Sequence, residues 1–144
     1  MKKFDVQTGS KEVLVDITRQ VEELVEKSGL KSGACIVYVP HTTAAVTINE
    51  NADPSVRQDV LMTLRKSVPD SHPYAHMEGN APAHAKSSIV GASIAIPVED
   101  GQLVLGTWQG IFFCEFDGPR RRHVFVQLLG NSPLPWRERT EVRG

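Results

Sequence analysis

Apolar and polar positions alternate at the start of residues 4–8, and an apolar run follows over 13–16; both carry strand signals and predict two short strands. The period then changes. Val21, Leu24 and Val25 recur on one helical face, Glu22, Glu23, Glu26 and Lys27 lie off it, and Gly29 stands where a helix would stop. The β-rich run CIVYV, residues 35–39, follows; Pro40 interrupts it, and TAAVTIN over 43–49 resumes strand character. Asp53 and Pro54 are an N-cap and a first helical residue, and Val56, Val60, Leu61, Leu64 and Val68 repeat at helical spacing until Pro69. Residues 70–80 are polar and loop-like, and Asn80 is placed to cap a short helix over 81–90 that tolerates Pro82 in its first turn.

The last third predicts antiparallel sheet. SIAIPV runs into the turn Glu99-Asp100-Gly101 and then QLVLGTW; GIFFCEF runs into Asp117-Gly118-Pro119 and then HVFVQLL, which closes the sheet. Strands mixed with two or three helices, without βαβ alternation, give an α+β class with a sandwich-like antiparallel core. The 144 residues suit a single domain, with a polar, Pro-bearing tail from about 131 to 144 expected to be loose.

A net charge of −1 argues against a general nucleic-acid or membrane binder. No apolar run is long enough to span a bilayer and the N-terminus lacks a signal peptide's hydrophobic stretch, so a cytoplasmic location is expected. Cys35 and Cys114 lie inside apolar segments and read as buried, reduced thiols, without a disulfide framework.

Five histidines carry the candidate chemistry. His41 follows a strand and Pro40, at a position that either displays a functional imidazole or buries a satisfied one. His72, His76 and His84 sit in HPYAHMEGNAPAHAK, and three imidazoles with an open position are a known zinc arrangement, although this spacing matches no short zinc motif and equally fits a solvated loop. His123, beside an arginine run, reads as surface. Asn49, Glu50 and Asn51 precede the Asp53 cap; Glu50 and Asn49 either orient a histidine or hold a cation, or form a solvated turn. Gly106-Thr107-Trp108-Gln109-Gly110 interrupts an apolar run, either to admit a ligand close to the backbone or to bend the sheet with Trp108 in the core. Arg120, Arg121 and Arg122 offer forks of donors suited to phosphate or simply stud a solvated hairpin tip, and Lys86 with Ser87 and Ser88 adds another possible anion-binding group. The chain carries no Walker loop, Rossmann fingerprint, Gly-x-Ser-x-Gly elbow or His-Glu-x-x-His.

Three stretches taken together, PHTTAAVTINENADPSVRQDV, GNAPAHAKSSIVG and GQLVLGTWQGIFFCEFDGPRRR, resemble the YjbQ-like family, whose members are often described as secondary thiamine-phosphate synthases. The likeness runs from about residue 3 to 130. It implies a compact α+β fold dominated by antiparallel sheet, assembly as a homotrimer, and a pocket near the subunit boundary where histidines gather around a metal or an anion. By that resemblance His41 matches the histidine of the His-Thr-Thr motif, His76 the one after the second helix, and His84 the one before Lys86-Ser87-Ser88. Glu50 and Asp53 match the acidic positions of the Asn-Glu-Asn stretch, and Gln109 matches the Gly-Thr-Trp-Gln motif. Where some relatives have His-Ala-His, this chain has Pro82-Ala83-His84, one imidazole fewer.

The function so implied is a weak thiamine-phosphate synthase, joining a pyrimidine diphosphate to a thiazole phosphate with release of pyrophosphate. His41, Glu50, His76 and His84 would be the reacting groups, and Asn49, Lys86, Gln109, Arg120 and Arg122 would hold the substrate. His41, His76 and His84 would hold a divalent metal, zinc rather than magnesium because imidazole is a poor ligand for the harder ion. The alternatives are a metal-dependent hydrolase of a small phosphorylated or anionic substrate with Glu50 as general base, and a non-catalytic module that binds a small anion or metal.

Overall fold

A computed structural model describes residues 1–131. Residues 132–144, nearly all of the expected tail, lie outside the described residues. Strands β1 (Lys2–Gln7) and β2 (Val13–Asp16) lead into α1 (Thr18–Ser28), then β3 (Ser32–Tyr38) and β4 (Ala44–Glu50). Helices α2 (Pro54–Ser67) and α3 (Ala81–Val90) follow, and β5 (Ser93–Glu99), β6 (Gln102–Leu103), β7 (Gln109–Glu115) and β8 (Arg121–Asn131) complete the order.

The strands form two antiparallel sheets, β1-β8-β3-β5-β6 and β2-β7-β4. Period-two side chains from both meet in one core: Val6, Cys35, Val37, Ile96, Val98, Val124 and Val126 from the larger sheet, Val46, Ile111 and Phe113 from the smaller. Helix α1 adds Val21 and Val25 to that core, and Gly29 ends it in a left-handed conformation at φ 73°. The opposite face of the small sheet, with Leu14, Ala45, Phe112 and Cys114, is covered by α2 through Val60, Leu61 and Leu64 and by α3 through Ala83. The α+β class and the sandwich-like core are those the pattern predicts. Asp53 caps α2 as expected, accepting from the Ser55 N–H at 2.9 Å. No helix among the described residues is long and apolar enough to cross a membrane.

Three local expectations change. The strand over QLVLGTW shrinks to Gln102–Leu103. Beyond it, the Gln109 side-chain oxygen accepts from the Gly106 N–H at 2.8 Å and closes a turn, which leaves Trp108 64% exposed instead of in the core. Secondly, β8 does not hairpin with β7. The Asp117-Gly118-Pro119 corner carries the chain across to the other sheet, and Gly118 is needed there because a Cβ would sit 2.4 Å from the Ser10 carbonyl oxygen. Thirdly, Asn80 holds the N-terminal position of α3 but caps nothing with its side chain; its Nδ2 donates to Asp117 at 3.0 Å instead. Both cysteines are buried, and burial pushes the Cys35 thiol up to about 11 and the Cys114 thiol up to about 12, so neither is a thiolate at neutral pH.

Candidate functional site

Four of the five histidines fall into two pairs. His76, on the loop between α2 and α3, meets His84 of α3 edge-to-face with ring centroids 5.0 Å apart. Glu78 stands beside His76, its carboxylate 3.2 Å from Nε2. The loop is fixed at both ends: the Tyr74 hydroxyl donates to the Pro69 carbonyl at 2.5 Å, and Asn80 is tied to Asp117. His72 packs edge-on against Tyr74, centroids 5.3 Å apart, and stays outside the pair.

His41 pairs with His123 instead. The two rings stack at 6.0 Å, and Nε2 of His41 accepts the His123 backbone N–H at 2.9 Å. His123 in turn has Nδ1 2.7 Å from Asp5 Oδ1, across the β1–β8 ladder in which Asp5 and His123 are directly opposite. Burial, with the charges of Arg122 and His123, pushes the His41 imidazole below its ordinary value, so the ring is neutral at pH 7. Among the described residues no three His, Cys, Asp or Glu side chains form a metal-holding group. The expected single cluster of His41, His76 and His84 is therefore not assembled within one chain. What one chain brings together is His76 with His84, and His41 with His123.

The cationic residues expected to hold substrate have partners of their own. Arg122 is not at a solvated tip; it is 3% exposed, with Nε donating to Glu115 at 2.9 Å and Nη2 to the Thr43 hydroxyl at 2.8 Å. Glu115 is fully buried and also accepts from the Thr8 hydroxyl at 2.8 Å and the Asp117 N–H at 3.0 Å. Lys86 is 2% exposed and paired with Glu12, whose other oxygen takes Arg65 at 3.0 Å. Ser87 donates to the Ala44 carbonyl at 2.6 Å and Ser88 to the His84 carbonyl at 3.0 Å, both structural bonds. Arg120 is exposed and held by Asp117, and Arg121 by Asp5.

Asn49, Glu50 and Gln109 gather at the far end of the small sheet, where Glu50 is directly opposite Gln109. The Asn49 side chain accepts from the Glu50 N–H at 2.7 Å. Asn51 packs on Gly110 so closely that a Cβ there would lie 2.6 Å from its Nδ2, which is why that position is glycine. Gln109 is occupied with its own turn and Asp53 with its cap.

The sequence reads His123 as surface and singles out no role for Asp5. Their signal was present: each is the outward member of a period-two strand, Phe4-Asp5-Val6 and Arg122-His123-Val124. The same parity marks Arg122 as inward-facing with Val124 and Val126.

Residues 2–131 match the family described as UPF0047 protein YjbQ-like. The UPF0047 protein MJ1081 of Methanocaldococcus jannaschii is 50% identical over 130 residues, covering 90% of this chain and 94% of that protein. The UPF0047 protein YugU of Bacillus subtilis is 50% identical over 131 residues, covering 90% and 99%. A crystal structure of an uncharacterised YjbQ/UPF0047 protein from Clostridium acetobutylicum superposes with a TM-score of 0.88 at 48% identity, over 90% of this chain and all of that one, 100%. A YbjQ-like protein of unknown function from Sulfolobus solfataricus superposes at 0.87 with 42% identity, over 90% and 96%.

Proposed function

The chain belongs to the UPF0047 YjbQ-like family, and on that premise we propose that it binds a small phosphorylated molecule in a histidine-lined pocket closed by a neighbouring copy, with thiamine-phosphate synthase-type chemistry. The observation that carries the reading is the His76–His84 pair, two imidazoles 5.0 Å apart with a carboxylate alongside. This donor set fits zinc and not magnesium. His76 and His84 would hold the ion and leave positions open for phosphate oxygens and for a neighbour's side chain. When bound, the ion would neutralise charge on a departing pyrophosphate. Protein purified without a histidine tag is expected to form thiamine phosphate from the pyrimidine diphosphate and thiazole phosphate in the presence of zinc. His84→Ala is expected to lose about tenfold or more in both rate and zinc affinity, the scale on which disturbing a metal site acts. Equal rates and equal zinc affinity in the two proteins would sink the reading.

The neighbouring copy is proposed from the outer face of the larger sheet. Ile36, Tyr38, Phe125 and Leu129 alternate with core residues and point away from the core, with Tyr38 47% and Leu129 50% exposed. An apolar sheet face of this kind favours association of copies over a monomer in water, and a count of three is the one the family resemblance implies. Light scattering is expected to give three times the chain mass for the wild type and the mass of one chain for Tyr38→Glu; a monomeric wild type at micromolar concentration would exclude the assembly.

A further inference from the structure

The β3–β8 ladder ends with Tyr38 opposite Phe125. Continued by two residues, that register would set Pro40 opposite His123, and proline has no N–H with which to complete an antiparallel pair. The chain turns away, and the His123 N–H goes to the His41 ring instead of to a carbonyl. A ring nitrogen that accepts a backbone N–H presents its lone pair and carries no proton, so the proton of the neutral ring sits on Nδ1. The donor is held in place, because the strand that offers the N–H is pinned on its other side by Asp5, bonded to both His123 and Arg121.

A metal ion would need the same lone pair. Nε2 of His41 is already spent, and Nδ1 carries hydrogen. We infer that His41 is a locked Nδ1–H imidazole and not a metal ligand, and that where a neighbouring copy closes the pocket this N–H donates a hydrogen bond to an oxygen of the bound anion. The donor role rests on the anionic ligand proposed above; the tautomer does not. The groups around the ring agree with a neutral donor: burial, Arg122 and His123 disfavour a second proton and together outweigh Glu115, which favours one. His123 acts here as a positioning residue through its backbone, with no contact to ligand required.

The test is nitrogen-15 NMR of histidine-labelled full-length protein at pH 7, first alone, then with zinc, then with inorganic phosphate. The expected spectrum shows His41 protonated at Nδ1 with Nε2 in the accepting state. Zinc is expected to shift His76 and His84 and leave His41 in place, and phosphate to shift the His41 Nδ1–H. An Nε2–H tautomer, a zinc-induced shift at His41, or phosphate shifts at His76 and His84 alone would each overturn the inference. Phosphate shifts at no histidine would overturn the donor role and the proposed ligand together, and the tautomer would then be read from the first spectrum. Two variants separate the nitrogens. His41→Asn keeps an amide N–H near the Nδ1 position, whereas His41→Gln puts its amide near Nε2. Phosphate affinity is expected to fall about tenfold or more in His41→Gln and clearly less in His41→Asn, the weight of one hydrogen bond to a charged group; the reverse order would contradict the assignment.

Discussion

Arg122→Met is expected to lower the unfolding free energy by about 3–5 kcal/mol, measured by urea denaturation at pH 7. The cost comes from what is left behind. Glu115 has no exposed surface, and without the guanidinium it keeps only the Thr8 hydroxyl and the Asp117 N–H. Removing both partners together, as Arg122→Met with Glu115→Leu, is expected to recover much of the loss, because two apolar side chains need no compensation. The pair also sets a pH dependence. Burial alone would raise the Glu115 carboxyl, but the bonds from Arg122, the Asp117 N–H and Thr8 overcome it and hold the group below its ordinary 4.5. A depressed folded-state value means the stabilisation is complete above 4.5 and drains away as pH falls from there through the folded value. Glu12, held down by Lys86 and Arg65 against its own burial, works in the same direction. Wild-type stability should therefore drop steeply below about pH 4.5, and the double variant should show a shallower acid limb.

Phe113→Ala is expected to cost about 3–5 kcal/mol, while Trp108→Ala, five residues away, should stay within about 0.5 kcal/mol. Phe113 is fully buried in the core between the sheets, so its truncation leaves a cavity that two paired sheets cannot easily collapse into. Trp108 stands on the turn that Gln109 closes and faces solvent. Equal losses for the two would mean that Trp108 is covered in the protein as it exists in solution, and would favour an interface at that turn.

Elements with local signals were legible in the sequence. Helix α2 begins at the Asp53-Pro54 step because cap and proline act within a few residues, and α3 fills the expected 81–90 although the Asn80 side chain does not cap it. The partition of strands between sheets was not legible. It depends on which strand β8 meets, and β1 and β3 lie about a hundred residues away from it along the chain. Nor could the shortened β6 be read, since a side chain, Gln109, outcompetes the ladder there. The candidate site divides the same way. His76 and His84 belong to one continuous stretch and do meet. His41 needed the β3–β8 register to find His123, and its separation from the other two histidines is a consequence of the fold rather than of spacing.

The strand order also dictates a timetable. Among the described strands, β1 pairs with β8 alone, and β8 separates it from β3. During synthesis β1 leaves the ribosome more than a hundred residues before β8 and has no place to go until β8 follows. The nascent chain can assemble β2, β4 and β7 together with the helices, but the larger sheet stays open through its middle until residues near 126 emerge. Fragments that stop short of β8 would present the bare edges of β1 and β3 to each other's copies. A truncation there exchanges a folded monomer unit for a sticky one.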